Sequence, residues 1–137
     1  MRIGVLLLAL VVCLLGTVSA AEFKVYPGAK LDEQATKQAM DIAAQAKQAG
    51  KSTIYTTKDS FKQVALFYKG LGKEFSMPRS SGISGQPKKY EKYELWEAYF
   101  ILDGAQDLSS SKRWVKIQRP YIGAEVKDLT AIISVEK

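Results

Sequence analysis

The chain has 137 residues, 20 Lys and Arg against 14 Asp and Glu, a net charge of +6, and a single cysteine, with no histidine. Without imidazole, and with no thiol other than Cys13, a Ser-His-Asp triad and a His-rich zinc site are excluded. Asparagine is also absent, so the chain offers no Asn-x-Ser/Thr acceptor for glycosylation.

The first element predicted is an export signal. Arg2 precedes an apolar run from Ile3 to Leu15, and small residues lead to Val18-Ser19-Ala20, which places a peptidase cut between Ala20 and Ala21. The run is shorter than the roughly 20 residues a spanning helix needs, and no Lys/Arg cluster follows it, so no membrane span is expected once residues 1–20 are removed. Lipidation at Cys13 is the minor alternative, disfavoured because Val12 before it is not small. Removal of the signal takes Arg2 and Cys13 with it. Residues 21–137 then form a single domain of charge +5 that must be held by its core, because no disulfide is available. A cysteine-free exported domain points to a bacterial envelope protein, periplasmic or extracellular, and its basic charge favours anionic partners.

Glu22 to Tyr26 read as an extended segment closed by the Pro27-Gly28 turn. A helix follows, capped by Asp32, supported by the Glu33 and Lys37 pair and stopped by Gly50. Its apolar stripe is thin: Ala35, Ala39, Ile42, Ala46 and Ala49. Internal packing is the expected use of that stripe, and self-association through it is the alternative. Ser52 to Thr57 alternate as a strand. A second helix over 58–70, capped by Thr57 or Asp59, carries Phe61, Val64, Phe67, Tyr68 and Leu71 at helical spacing and ends at Gly70 and Gly72. Residues 76–89, rich in Gly, Ser and Pro, predict a long mobile loop of the kind that is either functional or disordered.

The remainder predicts an antiparallel meander of Glu94–Leu102, Arg113–Pro120 and Leu129–Glu136. The fold class is therefore α+β: a three-strand C-terminal meander plus one or two short N-terminal strands, packed with two helices. Alternation places Trp96, Ala98, Phe100, Leu102, Val115, Ile117, Leu129, Ala131, Ile133 and Val135 on the core face. The opposite face receives Glu97, Tyr99, Trp114, Lys116 and Gln118.

That opposite face carries the one binding feature. KRWVKIQR at 112–119 holds four cations, and the strand would set Trp114 and Lys116 side by side with Tyr99, Gln118 and Lys112 nearby. An aromatic plane beside a cation and an amide suits a sugar or an anionic polymer, although burial of Trp114 under a helix or loop is the favoured arrangement. Catalytic candidates are weaker. Ser109 and Lys112 have the S-x-x-K spacing but sit in a turn; Glu91, Glu94 and Glu97 lie among lysines; Asp103 and Asp107 lack the remaining ligands of a calcium loop. There is no Walker A loop, and Gly70-Leu71-Gly72 is no dinucleotide fingerprint. No catalytic residue, metal or cofactor is assigned, and no nucleic-acid recognition pattern is present.

YPGAK at 26–30 and YTTKDSFKQVALFYKG at 55–70 resemble a pattern found in small exported bacterial proteins of unknown function. The resemblance implies an α+β domain in which Thr57 begins a helix and Phe61, Val64 and Phe67 fill the core, and it implies no activity. The expected function is an exported binding or assembly module for an anionic or carbohydrate envelope ligand or an envelope protein. A carboxylate- or Ser-Lys-based hydrolase and a self-associating structural protein are the alternatives.

Overall fold

A computed structural model describes residues 22–48 and 50–137, so the expected signal segment with Cys13, the expected cut before Ala21, and Ala49 lie outside the described residues. In chain order the elements are β1 (Lys30–Leu31), α1 (Glu33–Gln45), β2 (Lys51–Thr57), α2 (Phe61–Lys69), β3 (Lys73–Phe75), β4 (Lys88–Tyr90), β5 (Tyr93–Ile101), β6 (Arg113–Arg119), β7 (Tyr121–Ile122), β8 (Val126–Lys127) and β9 (Thr130–Glu136). The fold is α+β. One antiparallel sheet runs β1-β2-β9-β6-β5-β3, with β4 on the same edge of β5 as β3 and β7-β8 forming a separate hairpin. No helix among the described residues is long and apolar enough to cross a membrane.

The second helix starts later than the spacing suggests. Thr57 still pairs with Thr130 as the last residue of β2, and its hydroxyl accepts from the Asp59 amide in the turn that follows. Ser60 is the cap: its hydroxyl accepts from the Gln63 amide while the Gln63 side chain accepts from the Ser60 amide, a reciprocal capping box. Neither Thr57 nor Asp59 therefore begins the helix, and the start implied by the resemblance moves to Phe61. The apolar stripe serves as expected. Phe61, Val64, Ala65 and Tyr68 are buried against Ala98, Phe100, Val115, Ile117 and Ile132.

Asp32 caps α1 by accepting from the Ala35 amide. The helix ends at Gln45, with Lys47 taking a positive φ, so Gly50 is not its stop. Gly50 instead opens β2 at φ +118, where a Cβ would come within 2.8 Å of the Glu136 carbonyl oxygen. Packing is concentrated in the first two turns: Ala35 is buried and Ala39 half-buried, while Ile42 is 66% exposed. They sit on Ile54, Ala131, Ile133 and Tyr121. Thr36 and Asp32 also close the outer edge of β2, accepting from the Ile54 amide and donating to the Ile54 carbonyl.

The phase of β9 is opposite to the expected one. Ile117 pairs with Ile132 and Val115 with Ser134, so Thr130, Ile132 and Ser134 face α2 while Ala131 and Ile133 face α1. The cause is that β9 is covered on both faces, by α2 on one and by α1 on the other: apolar residues then fall on both faces, and alternation carries no phase.

Glu22 to Tyr26 form no strand. They strap across α2, with Phe23 stacked on Tyr68 at 5.8 Å and the buried Tyr68 hydroxyl donating to the Lys24 carbonyl. Residues 76–89 are likewise fastened rather than free. Ser81 and Gly82 take the place of a neighbouring strand at Glu97: the Ser81 hydroxyl bonds both the amide and the carbonyl of Glu97, and the Gly82 amide donates to that same carbonyl. The Glu74 carboxylate accepts from the Ile83 amide and holds the next turn.

Candidate functional site

Register decides what the strip read from the sequence becomes. Tyr99 pairs with Lys116 and Glu97 with Gln118, so Trp114, Lys116, Tyr99, Gln118 and Glu97 do share the face opposite α2. Their own contacts occupy it. Lys116 Nζ lies 2.9 Å from Glu97 Oε2 and 5.5 Å from the centre of the Tyr99 ring. Burial alone would lower the Lys116 ammonium, but the Glu97 carboxylate and Tyr99 outweigh it and hold the group above the usual lysine value. Trp114 packs with Tyr99, Ile101 and Leu108 beneath the 103–111 turn, and its indole N–H is buried without an acceptor among the described residues. Gln118 is buried, and Lys112 stands outside the strand, exposed. The strip is assembled, but its central cation is paired and its indole covered.

The turn itself is built by the residues that hinted at chemistry. Asp103 accepts from the Ser111 hydroxyl and from the Lys112 and Ala105 amides; burial raises its carboxyl, but these bonds prevail and hold it below 3.8. Asp107 is lowered by the Ser110 hydroxyl and amide and by Ser109. The Ser109 hydroxyl donates to Asp107 at 2.9 Å and so is directed at a carboxylate. Among the described residues no group of three or more His, Cys, Asp or Glu side chains is placed to hold a metal.

A different surface has room for a ligand. At the end of the sheet where α2 begins, Ser60, Phe61 and Lys62 from the helix, Ile83 to Gly85 from the fastened loop, Trp96 from β5 and Arg119 from β6 line a groove of about 600 Å³. Phe61 and Trp96 stack at 5.7 Å with their planes 29° apart and form its floor. The wall depends on Gly85, whose amide donates to the Ser81 carbonyl and on which a Cβ would overlap that same oxygen. Arg119 is engaged by protein: its Nη atoms donate to the Lys58, Asp59 and Asp128 carbonyls and to the Thr130 hydroxyl, and it pairs with the Asp128 carboxylate. Lys62 is exposed and makes no salt bridge among the described residues. Among the described residues no acidic side chain lines the groove.

Sequence reasoning set Trp96 in the core and marked 76–89 as a segment of possible function without connecting the two. The signal that could join them is Ser81-Gly82, a hydroxyl followed by a flexible residue, which local pattern alone does not match to Glu97. Gly85→Ala should cost about 1–3 kcal/mol through overpacking against the Ser81 carbonyl. Urea unfolding measures this, and unchanged stability would show that the loop does not hold the position described.

No family model, curated protein or solved structure matches the chain.

Proposed function

We propose that the protein is exported to a bacterial envelope and acts there as a binding module, with the groove between α2, the 83–85 segment and Trp96 as its ligand site. The observation that carries the reading is the groove itself. Its volume of about 600 Å³ falls within the usual range of small-molecule sites, and a stacked aromatic floor with a polar rim is the usual composition of such sites. The leader-like residues 1–20 support export, and the charge of +5 that remains supports an anionic envelope component as ligand.

The groove is preferred to the Trp114 and Lys116 strip because Lys62 is free to meet a ligand whereas Lys116 is paired with Glu97. Retention of the secreted domain on isolated envelopes tests this. Lys62→Glu should lower retention about tenfold while leaving the exposed side chain's surroundings intact, and Lys112→Glu on the 103–111 side should leave it unchanged. Retention that ignores Lys62, or that depends on Lys112 alone, would overturn the assignment.

A further inference from the structure

We infer that the ligand of the groove is an acidic saccharide, a sugar ring laid on Trp96 with its carboxylate toward Lys62. This rests on the groove being the binding site. The face of a sugar ring is C–H and its edge is hydroxyl, so it matches a floor of stacked Phe61 and Trp96 bordered by the exposed Ser84 hydroxyl. The charge comes from complementarity. Lys62 is the lining cation that makes no salt bridge among the described residues, Arg119 being paired with the Asp128 carboxylate, and no carboxylate in the described lining opposes Lys62.

An extended peptide is disfavoured by the same geometry. Peptides commonly dock by adding a strand to an open sheet edge. At the groove the edge of β5 is already taken, since Ser81 and Gly82 satisfy both the amide and the carbonyl of Glu97. What remains is a short trough suited to a ring or two.

The chain has two tryptophans, so Trp114→Phe leaves Trp96 as the sole indole and makes its fluorescence a reporter of the groove. The Trp114 indole makes no hydrogen bond among the described residues, and phenylalanine retains most of its packing. The secreted domain with this change is titrated with a galacturonic acid trisaccharide, a neutral hexose trisaccharide, sodium acetate and an acidic tripeptide. The expected result is a saturable change in Trp96 emission with the acidic sugar, about tenfold weaker binding of the neutral sugar, and loss of that preference in Lys62→Ala. Binding should also weaken as salt rises, because an exposed cation is screened.

No saturable change below about 10 mM, equal binding of the two sugars, or an equal response to acetate would overturn the inference. Stronger binding of the tripeptide would assign the groove to a protein partner and overturn it as well. The two readings fail separately. Envelope retention that depends on Lys62 without acidic-sugar binding leaves the groove as the site and removes the saccharide; loss of both removes both.

Discussion

Arg119→Ala is expected to lower the unfolding free energy by about 2–3 kcal/mol, among the larger single-residue effects in the domain. One guanidinium gathers three separate pieces of chain: the carbonyls of Lys58 and Asp59 before α2, the Asp128 carbonyl before β9, and the Thr130 hydroxyl on β9 itself. Thr130 is fully buried and donates onward to the Asp59 carbonyl at 2.6 Å, so loss of Arg119 disturbs a hydroxyl that has no water to turn to. The salt bridge to Asp128 contributes little of this. Asp128 is 74% exposed, and exposed pairs are worth about 0–1 kcal/mol, so Asp128→Ala should be close to neutral. Arg119→Lys should recover only part of the loss, because one ammonium cannot span the arc that Nη1 and Nη2 cover. Urea unfolding of the three variants gives the order. Equal effects of Arg119→Ala and Asp128→Ala would place the stabilisation in the ion pair and contradict this account. Arg119 also lines the groove, so the alanine variant should lose ligand retention together with stability.

The contrast between Arg119 and the α2 stripe shows what the sequence made legible. Phe61, Val64 and Tyr68 repeat at 3.6 residues, Ala98, Phe100, Val115 and Ile117 alternate at two, and both patterns lead directly to the main core. A periodicity reports which face of an element is dry. It does not report which elements meet, and the features that failed to appear in the sequence are of that second kind. β9 has Ala131, Ile132 and Ile133 in succession, so its phase had to come from pairing with β6. β3 and β4 are three residues each and exist because β5 has a long edge to cover, with Ser81 and Gly82 filling the gap between them. The four cations of 112–119 were visible; that Glu97 would lie diagonally across from Lys116 and neutralise it depended on register. The groove belongs to this class as well. Trp96 reads as a core residue by alternation, and only the fold of the 83–85 segment over the end of the sheet turns its outer edge into a floor.

Tyr68→Phe is expected to cost about 1–3 kcal/mol although it removes a single oxygen atom. That oxygen donates to the Lys24 carbonyl at 2.7 Å and accepts from the Tyr26 amide at 3.1 Å, and Tyr68 is fully buried. The variant therefore leaves one acceptor and one donor of the strap without their partner, and α2 loses its covalently distant tie to residues 24–26. Phe23 stacks on the same ring and tilts against Tyr55, while Tyr26 meets Phe67 edge-on and donates to Asp59. Phe23→Ala should thus weaken the same unit, and the two losses should be strongly non-additive, since either one releases the strap. Additive losses would mean that Phe23 and Tyr68 act independently. A second readout follows from titration. Burial raises the Tyr68 phenol above 10.0, so the stabilisation is complete below pH 10, where both states are protonated, and declines as pH rises from there toward the raised folded value. The wild type should lose stability across that alkaline range faster than Tyr68→Phe. Parallel alkaline profiles would show that the Tyr68 phenol is not held in its protonated form by the strap.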